Sequence, residues 1–241
     1  ADLAAELAAS RAKLFAAREA RVHPGKDDKV IVSWNGLMID ALARAAAALD
    51  EPRYAAAAAK AADFIHTKLI RPDGRLLHTY RNGVAKLDAY LDDYVCLANG
   101  LMSLYEATFD VARLEQAARL LDAVIDHFAD PQAGGFFYTA DDHEQLIARN
   151  KDATDASVPS ASGMAAFALA RLGKFTGEQK YIAAADSTLT AAAGLMQQAA
   201  AAMGQMLLAL DFQLGPTFEL VLAGDTEFEL VAKPLKELRR Q

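Results

Sequence analysis

Asp92-Asp93-Tyr94 is the constellation in this chain with the most chemical content. Two carboxylates held close together push one pKa upward, and a carboxyl that keeps its proton near neutral pH is a general acid or base. Both aspartates fall at the start of an apolar helical segment. Asp is also a preferred N-cap residue there, so capping competes with catalysis as their explanation. Successive residues on a helix do not face each other, so one Asp can cap while the other faces a cavity.

Other candidates surround this pair. His78 and Tyr80 fall two apart in the run Arg75-Leu76-Leu77-His78-Thr79-Tyr80, on one face of an expected strand. If that face turns inward, His78 is a proton carrier near neutral pH, and otherwise it is a surface loop histidine. Trp34-Asn35 opens an equivalent helical segment. The tryptophan either stacks on a sugar ring or wedges in the core with its N–H satisfied. Asn35 either binds hydroxyls or caps the helix. Arg149, Lys151, Asp152 and Asp155 precede a third segment, as a loop-fastening ion network or as a polar grip on substrate. The candidate acid/base set is therefore Asp92, Asp93 and His78, and the candidate substrate contacts are Trp34, Asn35, Tyr80, Arg149 and Tyr94.

The elements that must position these residues come from an internal repeat. Asn35-Gly36-Leu37-Met38 returns 64 residues later as Asn99-Gly100-Leu101-Met102, and a fainter copy, Ser162-Gly163-Met164, follows after 63 more. Each copy opens an apolar helix, breaks at a short polar turn, and continues into a second helix that is polar on one face. A helix apolar all round must be buried on several sides, so the hairpins stack as two layers, inner and outer. The fold class is all-α: helical hairpins forming part of an (α/α) toroid. Turns within hairpins are short, whereas the connections at about 71–90 and 130–159 are long. They are expected to hold β-hairpins, one around Pro72-Asp73-Gly74 to Arg81-Asn82-Gly83, and one with Gly135 to Thr139 facing Gln145 to Arg149. If the inner helices are parallel, all the long connections gather at their N-terminal end, with unpaired N–H groups and positive dipole ends. A pocket is expected there.

The chain has 241 residues, is 53% hydrophobic, and carries a net charge of −7 spread along its length. No basic stripe is present, so nucleic acid is excluded as a partner. No signal peptide or apolar membrane-spanning run appears. The one cysteine, Cys96, reads as a small buried hydrophobe, and a cytoplasmic, reducing location fits. No His or Cys pair has zinc-ligand spacing and no glycine loop cradles phosphate, so no metal and no cofactor is expected. Ser160 and Ser162 read as caps of the third inner helix. The expected organisation is a partial toroid over residues 1–225 and a helical extension over 226–241, with a strand at Thr217 to Ala223 and a short fourth inner helix around Ala199 to Phe212. Residues 1–21 read as an outer-type helix without an inner partner.

Three blocks together resemble a known family: Asp27-Asp28-Lys29 to Trp34-Asn35-Gly36-Leu37-Met38-Ile39; Leu91-Asp92-Asp93-Tyr94 with Gly100-Leu101 and Leu104-Tyr105-Glu106-Ala107-Thr108; and Gly134-Gly135-Phe136-Phe137 through Arg149, Lys151-Asp152, Asp155 and Pro159-Ser160. From about residue 10 to residue 224 the chain resembles the C-terminal portion of thioredoxin-domain proteins of the YyaL and spermatogenesis-associated protein 20 type. The sequence departs from them at Ser160-Ala161-Ser162, where relatives tend to have a Ser-Gly-Asn stretch. The resemblance implies a toroid similar to N-acylglucosamine 2-epimerases and six-hairpin glycosidases. It also implies a thioredoxin-like domain and further toroid hairpins that this sequence does not contain, unless self-association completes the core. By fold analogy it implies a small-molecule carbohydrate as ligand, epimerised or hydrolysed by carboxylate chemistry. The alternative from another class is a non-catalytic scaffold or binding module.

Overall fold

The computed structural model describes residues 2–144, 147–216, 235 and 237. The strand expected at Thr217 to Ala223 and the extension at 226–241 lie outside the described residues, apart from two isolated positions.

Three helical hairpins follow one another. Their first helices are α2 (Val32–Leu49), α4 (Leu91–Thr108) and α6 (Ala161–Thr176), and their second helices are α3 (Pro52–Lys68), α5 (Val111–Phe128) and α7 (Gln179–Gln198). A short 3-10 turn leads to α8 (Gly204–Leu214), a fourth inner helix. Ahead of them stands α1 (Leu3–Glu19), which buries none of its residues. The inner helices pack side by side in the order α2, α4, α6, α8, and each outer helix packs on its own inner partner. α4 is buried along nearly its whole length, from Leu91 to Leu104, as its all-round apolar character requires. By contrast, α5 buries only the stripe Ala117, Leu120, Leu121, Val124 and Phe128. This is the two-layered wall of an (α/α) toroid. No helix among the described residues is long and apolar enough to cross a membrane.

The repeat's glycines explain its recurrence. A methyl group on Gly36 would lie 2.5 Å from the Cys96 carbonyl carbon and from Leu97 N, and one on Gly100 would lie 2.5 Å from Gly36 O. The main chains of α2 and α4 therefore touch at these two positions, which no larger residue permits. Gly163 plays the same part between α6 and α8, where a methyl would meet Met206 N at 2.9 Å. Each hairpin turns through one left-handed residue, Asp50, Phe109 or Gly177.

The long connections differ from one another. The first holds β2 (Leu77–Arg81) and β3 (Val84–Asp88), closed by Asn82 and Gly83, both at positive φ as a tight hairpin turn requires. An unforeseen strand, β1 (Val30–Ile31), pairs with β2 and makes a three-stranded antiparallel sheet in the order β1-β2-β3. The second connection shows no paired strands among the described residues, and the start of the expected facing strand, Gln145, lies outside them. Gly134 and Gly135 take positive φ, an isolated bridge joins Ala129 to Phe136, and Tyr138 N–H donates to Asn150 O. Side chains satisfy its carbonyls instead: Arg149 donates to Thr139 O and His127 O, and Lys151 donates to Gly134 O.

Candidate functional site

The two aspartates of α4 divide the roles that the sequence left open between them. Asp93 is fully buried. Its Oδ1 accepts the N–H of Ser33, in the first turn of α2, at 2.9 Å. Its Oδ2 accepts the N–H of Tyr90, just ahead of α4, at 3.1 Å, and lies 2.7 Å from His78 Nδ1. One carboxylate thus clamps the N-termini of two inner helices and holds an imidazole. The bond to Asp93 raises the pKa of His78 against the opposing effect of burial.

Asp92 is held differently. It is partly buried, and its Oδ1 is buried with no hydrogen-bond partner. Burial first, and the Asp93 charge second, raise its pKa, while Ser33, Tyr138 and His78 pull the other way. Tyr138 faces it, and burial together with the neighbouring Asp92 pushes that phenol well above the usual range. A carboxyl that keeps its proton beyond the ordinary aspartate range, at the end of the helix where the loops gather, has the character of a general acid.

Aromatic rings roof this pair. Tyr90 stacks on Tyr138 with centroids 5.2 Å apart, meets His78 edge-on at 5.3 Å, and tilts against His143 at 5.3 Å. Both ring nitrogens of His143 are buried without a partner. Beside Tyr138 lies a depression of about 390 Å³, lined also by Asn150, Lys151 and Asp152. Loop and helix are joined here, because Leu91 N–H donates to Tyr138 O.

The remaining sequence candidates are placed as follows. Trp34 is 61% exposed, so the core alternative is removed and its ring is available at the start of α2. Asn35 donates its amide to Ile31 O and so serves the helix terminus. Tyr80 packs edge-on to Phe64 of α3, with centroids 5.1 Å apart. Tyr94 is 1% exposed, and its hydroxyl accepts from Leu76 N and Arg75 Nε. It pins the first connection and has no surface to offer a ligand. Arg149 stacks over Phe137 at 4.2 Å and donates to carbonyls of its own loop, so it fastens that loop through main-chain acceptors. Lys151 adds an ion pair with Asp130, and Arg81 one with Asp28. Ser160 does precede α6, but its hydroxyl makes no cap and is buried without a partner. The caps are Asp152, which accepts from Ala161 N, and Asp155, which accepts from Ser160 N and from Gln205 N of α8. Among the described residues one group has its ligand atoms close enough to hold a metal ion, His127, Asp141 and Asp142. Arg75 already grips Asp142 through both guanidinium nitrogens.

Sequence reasoning missed a second polar layer, deeper between the inner helices. Arg171 of α6 is 5% exposed. It donates to Asn99 Oδ1 and Asn99 O, to Ser103 Oγ at 3.2 Å and to Glu106 Oε2 at 2.5 Å. Ser103 in turn donates to Asp40 of α2, which Arg44 also holds. A cavity of about 530 Å³ opens on this layer. Its sequence signal was Arg171, a charge within the apolar body of an inner helix, a turn ahead of the terminal Lys174.

No protein-family model matches the chain. Human spermatogenesis-associated protein 20 is 34% identical over 225 residues, which cover 89% of this chain and 29% of that protein. The chain therefore spans under a third of the length of this relative. Solved structures that share the fold include two sugar-active enzymes. Cellobiose 2-epimerase from Bacillus thermoamylovorans matches 69% of this chain and 45% of its own, with a TM-score of 0.58 and 13% identity. The α-1,6-mannanase of Salegentibacter sp. HEL1_6 was solved in complex with α-1,6-mannotriose as an inactive variant with two consecutive aspartates replaced by asparagine. It matches 67% of this chain and 46% of its own, with a TM-score of 0.54 and 18% identity.

Proposed function

We propose, from the premise that this chain is homologous to a segment of spermatogenesis-associated protein 20 and folds as part of an (α/α) toroid, that it forms the acid-bearing wall of a carbohydrate-active site. Asp92 is the general acid, Asp93 positions it and clamps the helices, and His78 is the positioning partner of Asp93. Trp34 offers an exposed ring at the same end.

The observation that carries this reading is the inequality of the two aspartates. Asp93 has three partners, and Asp92 has a buried oxygen with none, beside a depression that Tyr138 lines. The Asp93 charge makes ionisation of Asp92 harder, so its proton is available to a sugar oxygen that develops charge as a bond to carbon breaks or rearranges. The mannanase that shares the fold is inactive when two successive aspartates become asparagine, which agrees with a role for a carboxylate pair.

The test is to incubate the chain with cellobiose and with α-1,6-mannotriose and to follow products by chromatography. Asp92→Asn is expected to lower turnover by roughly 10²-fold or more without lowering the melting temperature. Turnover at the wild-type rate in Asp92→Asn removes Asp92 from the chemistry.

One observation favours a second reading, a non-catalytic scaffold within a larger thioredoxin-domain protein. Tyr90, Tyr138 and His143 roof the carboxylates, and the loop's cations are engaged in fastening it. On that reading neither sugar is turned over by the wild-type chain, and Asp92→Asn changes stability alone.

A further inference from the structure

We infer that the cavity between α2, α4, α6 and α8 is a second binding level for a neutral sugar chain, with Asn99 and Asp40 as its recognition pair. The inference rests on the carbohydrate reading above and extends it from one sugar ring to a chain of them.

Asn99 carries the argument. It is 3% exposed, and it lines the cavity. Arg171 has donors only, so the oxygen of the Asn99 amide must be the atom facing it. The NH2 group then remains, and among the described residues no hydrogen bond takes it. That donor is not sealed inside the protein but opens on the cavity, where a ligand hydroxyl can accept from it. Its counterpart in the first repeat, Asn35, has no such surplus, because its NH2 is bonded to Ile31 O.

Asp40 lines the same cavity with a side chain 21% exposed. Its Oδ1 takes the Ser103 hydroxyl at 2.5 Å, and Arg44 neutralises its charge. A donor and an acceptor in one cavity are what neighbouring hydroxyls require, each oxygen accepting from the amide or donating to the carboxylate. Phe167 and Phe212, also in the lining, offer apolar faces for a sugar ring. Asp40 and Arg44 pair with each other, and Asp211, which also lines the cavity, leaves a surplus negative charge that disfavours an anionic ligand. The volume of about 530 Å³ falls within the usual range of small-molecule sites.

The position of the cavity sets the length of the ligand. Asp92 and Asn99 are seven residues apart on α4, so they lie on nearly the same face and about 10 Å apart along the axis. On α2, Ser33 beside Asp92 and Asp40 beside Ser103 are also seven residues apart. Two polar levels therefore line one stripe, farther apart than a single ring reaches.

Calorimetric titration of the chain with α-1,6-mannotriose and cellobiose, against mannose and glucose, tests this. The oligosaccharides are expected to bind at least tenfold more tightly than the monosaccharides. Asn99→Asp keeps an acceptor for Arg171 and replaces only the donor that faces the cavity. It is expected to erase most of that advantage, roughly tenfold in affinity, without lowering the melting temperature. Asp92→Asn, measured in parallel, is expected to keep the oligosaccharide preference whether or not it turns substrate over. Loss of turnover there speaks to the acid alone, and loss of preference in Asn99→Asp speaks to the cavity alone. Wild-type affinity in Asn99→Asp, or no oligosaccharide preference in the wild-type chain, overturns the inference.

Discussion

Two carboxylates perform the same structural task at two places in the wall. Asp93 ties the N-termini of α2 and α4, and Asp155 ties those of α6 and α8, each by accepting main-chain N–H groups from both helices. The difference lies in what adjoins them. Beside Asp155 the nearest acid in sequence, Asp152, is itself a cap on Ala161 N. Beside Asp93 stand an imidazole and a second carboxylate with a buried, unpartnered oxygen. Joining two helices takes one carboxylate, as the α6/α8 pair demonstrates. The extra groups at α2/α4 are not needed for the architecture, and that surplus is the reason for seeking chemistry there.

The largest effect should come from removing the clamps themselves. Asp93→Ala strands the N–H groups of Ser33 and Tyr90 in a fully buried place and should cost about 3 kcal/mol in urea unfolding. Asp155→Ala, in a more open place, should cost only about 1 kcal/mol. Equal losses would mean that burial does not distinguish the two sites.

A smaller effect of opposite sign is expected at Asp92. Its folded pKa is raised, so ionisation destabilises the folded chain once the pH exceeds the ordinary aspartate value. Asp92→Asn should therefore stabilise the protein near pH 7, on the order of 1 kcal/mol, and the gain should vanish as pH falls below about 4. Asp155 has a lowered pKa: burial works against it, but the N–H groups of Ser160 and Gln205 prevail. Asp155→Asn should accordingly destabilise at pH 7, with the loss shrinking as pH falls through that lowered value. The same sign in both variants would erase the contrast.

The smallest effect concerns His78. Its pKa is raised in the folded state by Asp93, so its contribution is complete below about pH 6.5 and is lost as pH rises through the raised value. His78→Gln should flatten that part of the stability-against-pH curve. An unchanged slope would show that the imidazole is not coupled to the clamp.

Much of this architecture was legible in the sequence. The 64- and 63-residue intervals gave the hairpins, since a buried inner helix and a striped outer one leave different patterns. Helix geometry also foretold that Asp92 and Asp93 would separate. What stayed hidden depended on contacts distant in sequence. β1 is only two residues long and is defined by its partner. The caps of α6 come from Asp152 and Asp155, which a curled loop returns to Ala161 N and Ser160 N. Arg171 looked like an isolated charge until α4 supplied its acceptors. Residue type alone leaves Trp34 open between core and surface, and its place in the first turn of α2 turns it outward.

The contact of main chain on main chain at Gly36 and Gly100 also governs motion. Helices spaced by side chains can slide as rotamers change, but helices in backbone contact have no such slack, so α2 and α4 behave as one welded beam. Any breathing of the wall must then occur at the α4/α6 seam, where the bridge is Arg171, a long side chain reaching across to its acceptors. The rim that carries both acids keeps its shape, and the compliance of the molecule is displaced to the neighbouring joint.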